Sequence, residues 1–298
     1  MKNFRYFKPE TIEDAAQILG DLNGKAMALS GGTDLLVRMR SRIIQPEAVV
    51  DIKGIKDLAL KKEDKTKGLT LGSTVTIGEI ENWELIQKRY PVLSQAAATL
   101  GGPQVRNKAT VGGNLCNASP SADMSPALMV LNASVNILSK DGNRNLPLEE
   151  FFRGPGETAM DKGEILTSVQ VPKMLANSHA VYIKLGRRKA MEIPVAAVAV
   201  MMTLDDSFSK CLDIRIAMGA VAPTPLRAKQ AENLIRGKII DDAVIQEVAE
   251  EASRECSPIS DVRASAWYRQ KAIEGLVKKA IKQSEKTIRE ESNGSLYS

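Results

Sequence analysis

Between residues 26 and 52 the chain changes its pattern twice. Ala26 to Leu29 reads as a short strand, Ser30-Gly-Gly-Thr-Asp34 as a turn, LLVRMRS as helix-like and Ala48-Val-Val-Asp-Ile52 as another strand. Strand, helix-like segment and strand in succession predict a small βαβ unit. A purely helical or purely β fold does not accommodate it.

The neighbouring segments agree with a mixed fold. Thr11-Ile-Glu-Asp14 places a hydroxyl three residues before an acid, a helix start, and IEDAAQIL carries its apolar residues at helical spacing. LTLGSTVTI, residues 69–77, reads as extended, and Thr76-Ile-Gly-Glu79 opens a second capped helix through Trp83 and Ile86. Pro91 to Leu100 is a short Ala-rich helix, followed by strands at Ser134 to Leu138 and Ile165 to Val171. Pro172 to Ser178 looks like a connector. Beyond it come strand candidates at Ala180 to Leu185, Val195 to Leu204 and Leu212 to Val221, and residues 226–282 are almost wholly helical in pattern. The expected class is α+β, with domains at 1–174 and 175–285 and a disordered tail at 286–298. The second domain is expected as a three-stranded antiparallel sheet flanked by helices.

Length fits this division, since 298 residues are many for one core. The net charge of +5, from 41 basic and 36 acidic residues, is too mild and interspersed for a nucleic-acid binder, and aromatic platforms are scarce at 4%. Residues 61–67, KKEDKTK, look like a solvated hairpin turn. No signal-like stretch opens the chain and no apolar run approaches the ~20 residues of a membrane span, so the chain reads as cytoplasmic. Cys116, Cys211 and Cys256 form no CxxC pair, and His179 is the only histidine, so no metal site is expected. A structural role is the expectation for His179. No catalytic acid–base pair stands out.

Two stretches share a grammar: Leu29-Ser30-Gly31-Gly32-Thr33-Asp34-Leu35 and Thr110-Val111-Gly112-Gly113-Asn114. Each sets a glycine pair beside hydroxyl or amide side chains. Glycine permits positive φ and close backbone approach, and successive N–H groups in such a turn make an anion-binding nest. Gly20-Asp-Leu-Asn-Gly-Lys25 is one residue short of a P-loop, and no GxGxxG follows a strand. The residues alone leave two readings open, plain turns or a neutral cradle for a pyrophosphate.

SGGTDLL together with TVGGNLCNASPSADMSPAL closely resembles the flavin-binding subunit of molybdenum hydroxylases, the xanthine dehydrogenase and carbon monoxide dehydrogenase group. YIKLGRRKAMEIPVAAVAV resembles the same family, and the likeness runs from about residue 3 to 282. The resemblance implies a PCMH-type FAD domain followed by the family's C-terminal α+β domain. It implies that residues 29–35 and 110–114 wrap the FAD pyrophosphate and ribityl chain, and that Asp123 binds flavin-chain hydroxyls, though a helix cap would also suit it. Leu100, Ile165 and Lys184 fall where the family has further cofactor contacts, with Ile193 a weaker candidate over the ring. A lysine near the flavin would favour the anionic reduced ring. The resemblance further implies a molybdopterin-binding large subunit with the molybdenum cofactor, a small subunit with 2Fe–2S clusters, and NAD+ or another electron acceptor. The alternative is a stand-alone PCMH-type flavin oxidase with its own substrate, an enzyme type that often tethers FAD through His or Cys.

Overall fold

The computed structural model describes residues 1–188 and 190–295. In chain order the first elements are β1 (Arg5–Phe7), α1 (Ile12–Asp21), β2 (Ala26–Leu29), α2 (Leu35–Arg40), β3 (Ala48–Asp51), β4 (Lys61–Asp64) and β5 (Gly68–Gly72). A run of short helices follows: α3 (Ile77–Asn82), α4 (Glu84–Arg89), α5 (Pro91–Thr99), α6 (Pro103–Arg106), α7 (Val111–Cys116) and α8 (Met124–Val130). Then come β6 (Ser134–Ser139), β7 (Gly142–Pro147), β8 (Phe152–Gly154), β9 (Glu157–Thr158) and β10 (Ile165–Val171). The last elements are β11 (Ser178–Leu185), β12 (Ala196–Leu204), β13 (Cys211–Gly219), β14 (Leu226–Arg227), α9 (Lys229–Ile235), α10 (Asp242–Arg254) and α11 (Ala266–Ser295).

The chain forms two compact units, each drawn from alternating stretches of the sequence. The first contains Met1–Ile80, Gly102–Ser119 and Asn132–Lys173; the second contains Glu81–Gly101, Pro120–Leu131 and Met174–Ser298. The connector at 172–178 holds the last crossing between them, after the short inserts 81–101 and 120–131 have already joined the second unit.

In the first unit the βαβ expectation holds. β2 and β3 are parallel, with Leu29 opposite Asp51, and β1 lies on the other side of β3. Parallel neighbours need a crossover, which α2 and its flanking turns supply. Thr11 caps α1 by accepting the Asp14 N–H at 3.1 Å, and Ala15, Ala16 and Leu19 pack with Val50 and Ile52. A second, antiparallel sheet runs in the order β4-β5-β10-β6-β7. KKEDKTK is therefore half strand, and Asp64 closes its turn by accepting the N–H groups of Thr66 and Lys67. The extended run expected to Ile77 stops at Gly72. At Thr76 a capping box takes over: the Thr76 N–H donates to Glu79 at 2.9 Å and the Glu79 N–H returns to Thr76 Oγ1 at 3.2 Å. The helix expected through Trp83 is broken there, because Trp83 is extended at ψ 111°.

The second unit is built on the sheet β11-β12-β13-β14, antiparallel throughout. All nine residues of β12 are buried, so AAVAVMMTL reads as a continuous apolar run rather than an alternation. On one face Val198, Val200 and Met202 share a core with Ile273, Val277 and Ile281, which recur at helical spacing on α11. The sheet has four strands where three were expected. β14 is two residues long and directly follows Pro225, too short to show any period. α11 continues to Ser295, so residues 286–295 of the expected tail are helical; its last three positions lie outside the described residues.

Candidate functional site

The first glycine turn leaves the carboxyl end of β2. Gly32 has φ +75°, a conformation that side chains resist. Gly31 presses against the segment before α7: a Cβ there would stand 2.1 Å from the Lys108 carbonyl oxygen. Carbonyls of the turn are spent on α2, the Leu36 N–H donating to Gly32 O and the Arg38 N–H to Asp34 O. Its donors are not spent. Among the described residues none accepts from the N–H groups of Gly31, Gly32, Thr33 or Asp34. Asp34 precedes α2 without a side-chain capping bond.

The second pair is built differently. Thr110 is the N-cap of α7, its hydroxyl accepting the Gly113 N–H at 3.1 Å. The N–H groups of Val111 and Gly112 donate to Val75 O and Ser73 O, both at 3.0 Å, and that of Asn114 to Thr110 O at 2.9 Å. Every N–H from Val111 to Asn114 has a partner, so this pair is no nest for an anion. Gly112 is required for close packing, because a Cβ would lie 2.6 Å from Ser73 Cβ. What this turn leaves unpaired is side-chain polarity. Asn114 Oδ1, Ser73 Oγ and Thr74 Oγ1 are buried without partners. Ser30 Oγ and Thr110 Oγ1, 2.9 Å apart, join the two turns.

Ile165, also in the first unit, is buried among Ala15, Ala16, Leu19 and Val50 and is placed as a core residue.

Leu100, Asp123 and Lys184 belong to the second unit, where Asp123 is the centre of a buried cluster. Its backbone sits at the N-cap of α8, yet its side chain makes no capping bond. The carboxylate turns instead to β11, accepting from Tyr182 Oη at 2.6 Å and from Lys184 Nζ at 3.0 Å on Oδ1 and 3.1 Å on Oδ2. Thr99 Oγ1 stands 3.5 Å away, and Lys184 Nζ also donates to Thr99 O at 2.9 Å. Asp123 is 6% exposed and the Lys184 side chain 8%. Burial pushes the Asp123 pKa up, opposed by the Lys184 charge and the Tyr182 hydrogen bond. Burial, with the Asp123 charge and hydrogen bond, also lifts the Tyr182 phenol well above its ordinary range. Tyr182 was not singled out from sequence; its signal was the two-residue spacing from Lys184, which puts both on one strand face. Leu100 is buried after α5, and the Met191 N–H donates to Gly101 O at 3.2 Å. Ile193 is 47% exposed.

Two residues bear on the stand-alone alternative. Cys116 is exposed as a residue, but its sulfur packs 3.7 Å from Met160 Sδ, and burial of the thiol pushes its pKa up to about 12. His179 is buried with Nδ1 unpartnered, and burial lowers its pKa. Neither environment activates a tethering nucleophile. Among the described residues no cluster of three His, Cys, Asp or Glu groups forms a metal site, and no helix is long and apolar enough to cross a membrane.

Residues 2–174 match the family described as the FAD binding domain in molybdopterin dehydrogenase, and residues 181–284 match the CO dehydrogenase flavoprotein C-terminal domain. The chain belongs to this flavoprotein family. It is 32% identical to the glyceraldehyde dehydrogenase medium chain of Sulfolobus acidocaldarius, over 94% of this chain and 98% of that protein. It is likewise 32% identical to a putative xanthine dehydrogenase FAD-binding subunit of Escherichia coli K12, over 94% and 95% of the two chains. A chain of the solved carbon monoxide dehydrogenase from Hydrogenophaga pseudoflava superposes with a TM-score of 0.91 at 30% identity, covering 95% of this chain and 97% of that one. The protein is thus an oxidoreductase subunit with an FAD-binding domain, of the kind found in molybdenum hydroxylase complexes.

The first unit's own geometry fits that cofactor. Four uncommitted N–H groups in a turn with no lysine suit a pyrophosphate, and a buried unpaired Asn114 Oδ1 suits a hydroxyl donor. The glycine pairs keep both turns free of side chains where the backbones meet.

Proposed function

We propose that the chain holds FAD non-covalently and passes electrons from the 2Fe–2S clusters of a small subunit to NAD+ or another acceptor. A molybdopterin-binding large subunit carrying the molybdenum cofactor would perform the substrate oxidation that feeds them. The observation that carries the binding reading is the open donor array of Gly31, Gly32, Thr33 and Asp34. In this reading that array takes the pyrophosphate, with Leu29 and Leu35 at its ends and Ser30 offering its hydroxyl. Thr110 to Asn114 lines the cofactor chain, Asn114 Oδ1 accepting a hydroxyl. Ile165, Leu100, Asp123 and Lys184 are further candidate contacts for the cofactor. FAD when bound supplies two-electron storage with one-electron exchange. The protein's own contribution is to bind and orient it and to fix the charge beside it.

The consecutive division at 1–174 and 175–285 is kept as the domain assignment, since it follows the two family matches. Glyceraldehyde, xanthine and carbon monoxide name the relatives' substrates, yet this chain matches all three over nearly its full length. That supports substrate choice by another subunit; a cytoplasmic location for the complex is part of the proposal. Purification of the native assembly tests the partners: the chain should co-elute with a molybdopterin protein and an iron–sulfur protein. Acid precipitation tests the link, and the yellow chromophore should stay in the supernatant. Flavin that pellets with the chain would instead support the stand-alone oxidase.

A further inference from the structure

The buried cluster of the second unit has a member for which flavin binding alone gives no account. Tyr182 is 5% exposed, and its backbone N–H is fixed by Gln95 Oε1 of α5 at 2.8 Å. Its phenol donates to Asp123 Oδ1, which also faces Lys184 Nζ and Thr99 Oγ1. Oδ2 receives only Lys184 Nζ among the described residues. A carboxylate oxygen accepts two hydrogen bonds, so Oδ1 is filled and Oδ2 keeps a lone pair open. The groups facing this carboxylate are Tyr182 and Lys184 from β11 and Thr99 from α5.

We propose that Tyr182 is a positioning residue for the flavin site: its phenol locks Oδ1 of Asp123 and so presents Oδ2 as the acceptor for a cofactor hydroxyl. This rests on the reading that Asp123 contacts FAD. Burial favours the protonated carboxyl, and the protonated form would turn an acceptor into a donor. The Tyr182 hydrogen bond stabilises the ionised form more than the protonated one, so removing it moves protonation of Asp123 to higher pH.

The test uses the full chain and FAD. Tyr182→Phe should weaken FAD binding about tenfold at neutral pH, the loss of one hydrogen bond to a charged acceptor. The weakening should shrink as the pH rises, because Asp123 in the variant ionises at higher pH than in the wild type. In an infrared pH titration, Y182F should keep the protonated carboxyl band to a higher pH than the wild type does. The band should vanish in the Y182F/D123N double variant. Equal weakening at every pH with no such shift of the band would mean that the phenol only packs, and would overturn the proposal. Asp123→Asn separates the two readings. If it binds FAD like the wild type while Y182F still shows the shifted band, the cofactor contact is wrong although the locking is real.

Discussion

The two glycine pairs, Gly31-Gly32 and Gly112-Gly113, look alike in sequence and differ in what they do with their N–H groups. The first offers four donors to something outside the chain; the second returns all of its donors to Thr110, Ser73 and Val75. The reason is where each helix begins. α2 starts behind Asp34, so Gly31 and Gly32 lie ahead of the helix, in a turn whose N–H groups nothing in the chain accepts among the described residues. α7 starts behind Thr110, whose hydroxyl caps it, and the segment 73–75 takes the remaining N–H groups. A glycine pair therefore identifies close backbone approach, while its place before or after the helix cap, and the carbonyls that face it, decide whether its donors stay open.

The sharpest way to break this comparison is Gly31→Ala. A methyl group 2.1 Å from the Lys108 carbonyl cannot be absorbed by a rotamer change, because the obstacle is backbone. FAD affinity should fall by at least about a hundredfold, with the donor array displaced as a unit. Isothermal titration of the apoprotein with FAD reads this directly; near-normal affinity would show that the open turn is not the pyrophosphate site.

Gly112→Ala should be chiefly a stability variant. The added Cβ meets Ser73 at 2.6 Å, and overpacking of this kind costs about 1–3 kcal/mol. Denaturant unfolding without FAD should show the whole loss. If stability is unchanged while FAD affinity collapses, the second pair is a ligand surface and the contrast between the turns is wrong.

Much of this was legible and some was not, for identifiable reasons. The βαβ unit, the Thr11 and Thr76 caps and the buried strand β12 are written in local pattern, and the structure has them. The break at Trp83 and the two-residue β14 depend on tertiary pairing that no short window contains. The glycine stretches announced tight turns correctly. They could not announce that the Gly113 N–H, which seemed a phosphate donor, is consumed by Thr110 three residues earlier. Likewise Asp123 read equally well as a helix cap, and only the fold shows its carboxylate turned to Tyr182 and Lys184.

A smaller effect is expected at Asn114. Its Oδ1 is buried and unpaired without ligand, so Asn114→Leu should leave the apoprotein equally stable or slightly more so. FAD affinity should still drop about tenfold, the worth of one buried hydrogen bond made only in the complex. Paired melting curves with and without FAD distinguish the two. A variant that destabilises the apoprotein as much as the complex would mean that Asn114 already has a structural task.

The smallest effect should come from Thr110→Val, and it tests the link between the turns. Valine keeps the shape but removes the cap acceptor and the contact with Ser30 Oγ. Losing a hydroxyl cap costs about 1 kcal/mol, so FAD should bind only severalfold more weakly. The Gly113 N–H, freed of its acceptor, does not compensate, because it points along the axis of α7 toward the missing cap. Inorganic pyrophosphate, used as a competitor of FAD, probes the open turn alone. Its inhibition constant should be the same for Thr110→Val and the wild type, since Gly31 to Asp34 make no hydrogen bond to Thr110 through their N–H groups. Thr110→Ser should restore FAD affinity, because the hydroxyl is what matters. If pyrophosphate weakens in step with FAD, the two turns act as one anion site, and the division of labour between them does not hold.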